Sequence, residues 1–140
     1  MRLSPLIPVL VLLALITTAY GQSPTFEKIL STPRVDSPAI SPDGKWVAYG
    51  ITTPDWKENA FRVQIWLYDA EKKRSKQLSR GAGVGSFSWS PKGDLIAFTA
   101  SRGGASQIYL LDPFGGEAAK LTDVKEGVGG IEWSPDGTKI

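Results

Sequence analysis

Short hydrophobic runs recur along the chain in two corresponding sets of four. The first set is Pro38–Ser41, Trp46–Tyr49, Ile65–Asp69 and Lys76–Ser79. The second set is Ser86–Ser90, Leu95–Phe98, Ile108–Asp112 and Lys120–Thr122. The two central runs of each set are almost continuously apolar, as strands are when both faces of their sheet are buried. In a sheet with one solvent-exposed face, apolar and polar residues alternate along the strand instead. Each set therefore predicts four short strands in a buried sheet.

A turn sequence, Ser-Pro-(Asp/Lys)-Gly, separates the first and second run of each set and occurs a third time. Its copies are Ser41–Gly44, Ser90–Gly93 and Ser134–Gly137, at intervals of 49 and 44 residues. Proline in the second position sets φ near about −65°, and glycine in the fourth tolerates the φ that closes a hairpin. A repeat of this length with four strands is typical of a β-propeller blade. We therefore predict an all-β fold of four-stranded antiparallel propeller blades, incomplete at about two and a half blades.

The blade boundaries follow from the repeat. We place the blades at about 37–80 and 84–123, with the start of a third at 128–140. Matching alanines, Ala48 and Ala97, are expected where neighbouring blades approach closely. The residues 81–85, Gly-Ala-Gly-Val-Gly, lack the lysine and serine of a phosphate-binding loop and are interpreted as a flexible link between blades.

Three segments depart from the repeat. Residues 22–36 form a lead-in that contains a short helix, Pro24–Leu30, with Ser23 as its N-cap. The stretch Thr53–Phe61 lengthens the hairpin between the second and third strands of the first blade. The basic run Glu71–Lys76 lies between two strands, and we interpret it as a solvated hairpin tip.

The N-terminus has the pattern of a secretory signal peptide. Arg2 supplies a positive charge, Leu6–Ile16 is apolar, and Ala19–Gly21 has small residues at the cleavage positions. We predict a signal peptide at 1–21, cleavage before Gln22, and export to a bacterial periplasm or medium with no stable membrane anchor afterwards. The alternative is an uncleaved anchor helix, for which the stretch is short of the roughly 20 apolar residues needed to span a bilayer.

Composition excludes several chemistries. The chain contains no histidine and no cysteine, so it cannot form a Ser-His-Asp or Cys-His catalytic site or a Cys/His zinc site. The formal net charge is +2 with no clustered basic face of the size that nucleic acid requires, so no nucleic-acid partner is predicted. We predict no catalytic residue, no cofactor-binding residue and no metal ligand in this chain, and no cofactor.

Five segments of the second unit carry a family resemblance: Ser90–Phe98, Ser101–Arg102, Gln107–Tyr109, Gly115–Glu117 and Lys120–Thr122. Together they resemble the WD40-like (PD40) repeat that is shared by the periplasmic TolB protein and by the propeller of prolyl oligopeptidase-family (S9) serine peptidases. The resemblance covers about 37–140. The first unit, with Phe26–Leu30 leading into Val35–Gly44 and with the long hairpin after Thr53, is similar to the acylaminoacyl-peptidase branch.

The resemblance implies a function that this chain does not perform alone. Members of the S9 family carry a C-terminal α/β-hydrolase domain, and their propeller caps that domain and limits access to short or unfolded peptides. The expected partners are therefore a hydrolase domain beyond Ile140 and peptide substrates, and the chain by itself is expected to be inactive. Two alternatives stay open: a TolB-like periplasmic interaction propeller without enzymatic activity, and a short product of a truncated gene.

The tryptophans divide into two groups. Trp46, Trp66, Trp89 and Trp133 lie at repeat-equivalent or strand-interior positions and are expected to pack in the core. Trp56 lies in the non-repeating hairpin. It is the candidate for a functional contact, either with the hydrolase domain or with another subunit in a homo-oligomer.

Overall fold

The computed structural model describes residues 23–81 and 83–140, which divide into two compact units at Leu30. In the first unit, helix α1 is Phe26–Leu30. The amide of Lys28 donates to the Thr25 hydroxyl at 3.2 Å, and the amide of Ile29 donates to the Thr25 carbonyl at 3.0 Å. Thr25 is therefore the N-cap, and the prediction of Ser23 is wrong, because the threonine hydroxyl accepts from the amide of the third helical residue.

The second unit, residues 31–140, contains two four-stranded antiparallel sheets. The first has the order β1-β2-β3-β4, with β1 Arg34–Ile40, β2 Trp46–Asp55, β3 Ala60–Asp69 and β4 Arg74–Gln77. The second has the order β5-β6-β7-β8, with β5 Val84–Trp89, β6 Ile96–Ala100, β7 Gln107–Leu111 and β8 Ala119–Lys120. Strands next to each other in sequence are next to each other in each sheet. Neither sheet closes on itself, so the all-β, incomplete-propeller prediction is confirmed.

The core lies between the two sheets. Strands β1 and β3 of the first sheet contact β5 of the second. The buried residues that form this core include Ala48, Ile65 and Leu67 from the first sheet and Trp89, Ile96, Phe98 and Leu111 from the second. Ala48 and Ala97 are both fully buried. Ala48 belongs to the core between the sheets, whereas Ala97 lies on the opposite face of β6 from Ile96 and Phe98.

The two sheets differ in how their faces are covered. Every residue of β6 is buried, and so is every residue of β7 except one. In β2 and β3, buried residues alternate with half-buried ones, so one face of the first sheet is less covered than the other. The reason is packing: the second sheet is contacted by the first sheet and, at Pro91 and Ser106, by the residues that follow it.

Two strand boundaries also differ from the prediction. The additional residues of the first unit extend β2 and β3 themselves, and only Trp56–Asn59 form the turn. The basic run is a turn only as far as Lys73, whereas Arg74 to Lys76 belong to the exposed strand β4. Charged side chains are compatible with a strand there because β4 is the edge of its sheet.

The predicted signal peptide at 1–21 lies outside the described residues. Within the part of the chain that the structure describes, no helix has the length and apolar character needed to cross a membrane.

Candidate functional site: the turns, the joint between blades and the extended hairpin

The first Ser-Pro-x-Gly turn is closed by its serine. The Ser41 amide donates to the Trp46 carbonyl at 2.8 Å, and the Trp46 amide donates to the Ser41 hydroxyl oxygen at 2.9 Å. The hydroxyl in turn donates to the Asp43 carboxylate at 2.6 Å. That carboxylate also accepts the Lys45 amide at 3.1 Å. Serine thus connects the turn to the following strand, and aspartate orients the serine.

The second turn keeps this arrangement although lysine replaces the aspartate. The Leu95 amide donates to the Ser90 hydroxyl oxygen at 3.2 Å, and that hydroxyl donates to the Asp94 carboxylate at 2.6 Å. Asp94 lies two positions after Lys92, which occupies the usual place of the carboxylate. The carboxylate has therefore moved along the turn while its contact with serine is unchanged.

Hydrogen bonds lower the pKa of the aspartates in the first and third turns, Asp43 and Asp136. The hydroxyl of Ser134 and the amide and hydroxyl of Thr138 donate to Asp136, and together they lower the pKa of Asp136 to about 2. The Ser41 hydroxyl and the Lys45 amide lower the pKa of Asp43 in the same direction. Donors that favour the ionised form are sufficient to explain both shifts, because both carboxylates are open to solvent.

Successive turns stack on one another. A Cβ placed on Gly93 would lie 3.3 Å from Cδ of Pro42, and one on Gly137 would lie 3.3 Å from Cδ of Pro91. Both glycines have positive φ, at 73° and 66°. The glycine of each turn thus packs against the proline of the turn before it, and the absence of a side chain permits that approach.

A tryptophan forms a second contact in the joint between the sheets. The indole Nε1 of Trp89 donates to the carbonyl oxygen of Ala39 at 3.0 Å. Trp133 has the equivalent position in the third unit, and its buried Nε1 has no hydrogen-bond partner among the described residues. The first unit has Ile40 at this position, and it is 68% exposed.

In both units a glutamine of the third strand pairs with a hydroxyl residue that follows the fourth strand. The amide of Ile65 donates to the Ser79 hydroxyl at 2.8 Å, and that hydroxyl donates to the side-chain carbonyl of Gln64 at 2.9 Å. In the second unit, the amide of Ile108 and the side chain of Gln107 make the same two bonds with Thr122, at 2.9 and 2.7 Å. The sequence analysis did not identify this pair. The signal was the recurrence of Gln-Ile followed by Leu-(Ser/Thr) at the same separation in both units.

The extended hairpin presents exposed aromatic residues. Trp56 is 58% exposed at its turn, and Phe61 is 54% exposed beneath the Arg34 guanidinium, whose carbon lies 5.1 Å from the ring centroid. The turn is held by Asp55, which accepts the amides of Lys57 and Glu58 and pairs with Nε of Arg62 at 2.5 Å. The Arg62 guanidinium is the main cause of the lowered pKa of Asp55. The other four tryptophans are buried or half-buried, so Trp56 is the accessible one.

One face of the first sheet is apolar and is not covered by the second sheet. The register places Ile40 beside Val47 and Val35 beside Ile51 on this face, together with the aromatic pair Tyr49 and Trp66. Val35 is 67% exposed and Ile40 68% exposed. Of the residues that the structure describes, no three or more Asp or Glu lie together in an arrangement that could hold a metal ion. The arrangement supports binding between protein surfaces.

Two four-stranded antiparallel sheets, packed in series through a repeated turn, define this chain as part of a β-propeller. The chain is homologous to S9-type peptidases over most of its length, which confirms the resemblance seen in the repeats. It is 35% identical over 118 residues to the uncharacterized peptidase YuxL of Bacillus subtilis (strain 168). It is 26% identical over 124 residues to dipeptidyl-peptidase 5 of Porphyromonas endodontalis.

These matches cover 83% and 88% of this chain, but the chain spans only 18% of the length of either relative. A shorter match, 31% identical over 86 residues and 61% of the chain, is to the Tol-Pal system protein TolB of Anaeromyxobacter dehalogenans, of which it covers 18%. No family model matches the chain.

Solved structures show the same fold. An acylaminoacyl peptidase of Pyrococcus horikoshii has a TM-score of 0.64 at 23% identity, over 78% of this chain and 17% of its own. The β-propeller domain of the trilobed protease of Pyrococcus furiosus has a TM-score of 0.60 at 20% identity, over 75% of this chain and 32% of its own. At these identities the likeness concerns the fold.

Proposed function

We propose that the chain is the N-terminal propeller portion of an exported S9-type serine peptidase, which covers the hydrolase domain and admits short or unfolded peptides. The observation that carries the proposal is the 35% identity to a peptidase over 83% of the chain. The nucleophilic serine, the aspartate and the histidine belong to the hydrolase domain, since the chain itself contains no histidine.

The joint between the sheets supports a role in restricting access. A propeller excludes large substrates only if its blades stay together, and here the stacked turns and the bond from Trp89 to Ala39 hold the sheets together at one end. Close-packed interfaces of this kind transmit force and resist local deformation. Export is the second part of the proposal, and it rests on the signal-peptide pattern around Leu6–Ile16.

The first experiment is to read the coding DNA beyond the codon for Ile140. An open frame that contains Gly-x-Ser-x-Gly and later an aspartate and a histidine is the expected result. The full-length product should then hydrolyse dipeptidyl or N-acylaminoacyl nitroanilides, lose activity with a serine-directed fluorophosphonate, and leave a folded protein substrate intact. Cleavage of the folded protein at a comparable rate would contradict the role of the propeller as a filter.

Trp56 is the residue through which we propose contact with the hydrolase domain or with another subunit. In the full-length protein, Trp56→Ala should change kcat/KM or shift the oligomer distribution, because an exposed indole on a rigid hairpin is a strong contact residue. The matched control is Phe26→Ala, which removes another exposed aromatic ring outside the hairpin. If Trp56→Ala leaves activity, oligomeric state and stability unchanged, the proposed contact is wrong.

A second candidate function is a periplasmic interaction propeller without enzymatic activity. It is favoured by the 31% identity to TolB over 86 residues. In this case the open frame beyond Ile140 should add further repeat units and no nucleophile motif, and the full-length product should not react with the fluorophosphonate. The same DNA read therefore separates the two functions.

A further inference from the structure

Strand β4 is an exposed edge of the first sheet, and all four of its residues are exposed. The Leu78 amide donates to the Ile65 carbonyl at 2.8 Å, so these two residues form a hydrogen-bonded pair. From there, hydrogen-bonded and non-hydrogen-bonded pairs alternate along β3 and β4. By this alternation Arg74 and Lys76 direct their backbone groups to β3, whereas Ser75 and Gln77 direct theirs outwards. The edge therefore presents backbone donors and acceptors to a further strand.

This edge carries much of the positive charge of the chain. Residues 71–80 contain five lysines and arginines and one glutamate, whereas the whole chain has 16 basic and 14 acidic residues. The cations are Lys72, Lys73, Arg74, Lys76 and Arg80. Lys72 lies 3.8 Å from the carboxylate of Asp69, and the other four have no ion pair among the described residues. Without this segment the chain would be net negative, so the cations are concentrated on this edge.

A groove lies beside β4 on the face that is turned towards the second sheet. Its volume is about 330 Å³, and its apolar floor is formed by Trp46 and Leu67. Arg74 and Lys76 form its outer wall. Its one acidic group, Asp69, is buried and already accepts the amides of Glu71 and Lys72. The groove thus offers an apolar floor beneath two cations.

We infer that the edge of β4 binds an extended acidic peptide segment by strand addition, with an apolar side chain of that peptide in the groove. Basic side chains on an edge strand repel a second basic strand, and the same charges attract an acidic one. Backbone pairing supplies affinity, and the groove supplies selectivity for one side chain. The edge of the second sheet, β8, is only two residues long and offers a shorter template. This function is separate from the proposed peptidase role.

The charge requirement is tested with fluorescein-labelled octapeptides and the full chain. An octapeptide of alternating glutamate and leucine should bind by fluorescence anisotropy at low salt, and one of alternating lysine and leucine should not. The double variant Arg74→Glu/Lys76→Glu should weaken binding at least about tenfold through charge reversal. The control Lys57→Glu/Lys125→Glu makes the same change in net charge elsewhere and should stay within about twofold. Equal weakening by both double variants would overturn the assignment to this edge.

The backbone requirement is tested separately. Ser75→Pro removes an outward N–H without removing a bond to β3, so it should weaken binding about fivefold while the melting temperature is retained. N-methylation of alternate amides of the peptide also removes donors for strand pairing. This experiment uses the unmodified protein, so its result does not depend on how a variant folds. Unchanged affinity of the N-methylated peptides in both registers would show ionic attachment only and would overturn strand addition.

Discussion

At the scale of single residues, one serine hydroxyl and one carboxylate hold each Ser-Pro-x-Gly turn. The hydroxyl accepts the amide of the residue five positions on, and it donates to the carboxylate at 2.6 Å in all three turns. Ser90 is 1% exposed, so this bond in the second turn is shielded from water. A buried hydroxyl without its partners is costly, which explains why the arrangement is kept when the carboxylate changes position.

The hydrogen bonds to Asp136 can be tested through the pH dependence of its ionisation and of the stability of the fold. Its pKa is lowered from 3.8 to about 2 in the folded chain, so its carboxylate stabilises the fold fully above about pH 4. That contribution is lost as the pH falls through the folded pKa. We expect a carboxyl titration midpoint near 2 by NMR, and an unfolding free energy that depends less on pH between 4 and 2 in Asp136→Asn. A midpoint at 3.8 or above would contradict the hydrogen bonds described.

The sequence allowed the turns to be predicted but not all of their bonds. Proline and glycine at fixed positions specify turn geometry locally, so Ser41–Gly44 was identifiable from four letters. The bond from Ser90 to Asp94 lies within one turn, but the lysine in the usual place of the aspartate hides it; the pairing of Gln107 with Thr122 depends on strand register. Register joins residues that are distant in sequence, and a local pattern does not contain it.

At the scale of elements, the joint between two blades consists of a few repeated contacts. Proline lies against glycine at the turns, and the indole of Trp89 on β5 donates to the backbone carbonyl of Ala39 on β1 of the other sheet. At the turns, a side chain in place of the glycine would lie 3.3 Å from the preceding proline. The joint is therefore expected to be sensitive to small additions of volume.

The variant Gly93→Ala tests the stacked turns. Alanine at position 93 would have to keep φ near 73°, and its Cβ would lie 3.3 Å from Cδ of Pro42. Gly44→Ala is the matched control, because Gly44 has the same φ and a Cβ there meets no described atom within 4 Å. We expect the positive φ to destabilise both variants by about 1 kcal/mol, and the contact with Pro42 to lower the stability of Gly93→Ala further. Chemical denaturation measures the difference, and equal losses would show that the stacking contact is unimportant.

The hydrogen bond from the Trp89 indole is tested by a matched pair of variants. Trp89→Phe removes a donor that is bonded to Ala39, whereas Trp133→Phe removes an indole N–H that has no partner among the described residues. Trp89→Phe should therefore cost about 1 kcal/mol more than Trp133→Phe for the same change in side-chain volume. Thermal and urea unfolding provide the comparison. A larger loss in Trp133→Phe would contradict the role of the bond.

The existence of the strands was predictable, and their boundaries were less so. Apolar runs such as Ile96–Phe98 are short and continuous, and both sheets contain them where expected. The extension of β2 to Asp55 and the strand character of Arg74–Lys76 are not signalled by hydrophobicity. Pairing with β3 stabilises both segments, and backbone hydrogen bonds to a neighbour do not depend on side-chain polarity.

At the scale of the whole molecule, the two sheets have unequal surroundings. The uncovered face of the first sheet carries Val35 and Ile40, which are more than half exposed. Exposed apolar surface on a sheet marks a site of protein–protein contact or a liability to aggregation. The continuous apolar runs are those of a blade with a neighbour on each side, and the described residues place a neighbouring sheet on one side of the first sheet only.

Residues 22–140 produced alone test the effect of this face. We expect concentration-dependent self-association, binding of a hydrophobic dye, and a broad thermal transition, because the face and the strand edges have nothing to pair with. Val35→Lys/Ile40→Lys should reduce the self-association. Val84→Lys, at a site buried between the sheets, should instead cause unfolding. A sharp melt of a monomer at all concentrations would contradict the prediction.

The displaced carboxylate of the second turn also bears on how such repeats diverge. Aspartate stands in the third position of the first and third turns, and in the fifth position, as Asp94, of the second. A turn with aspartate in both the third and the fifth position can lose either aspartate while the other still accepts from the serine hydroxyl. A route from one form to the other therefore exists in which each step is a single substitution and the turn always keeps an acceptor. Selection on the serine is expected to be stricter than selection on either acid.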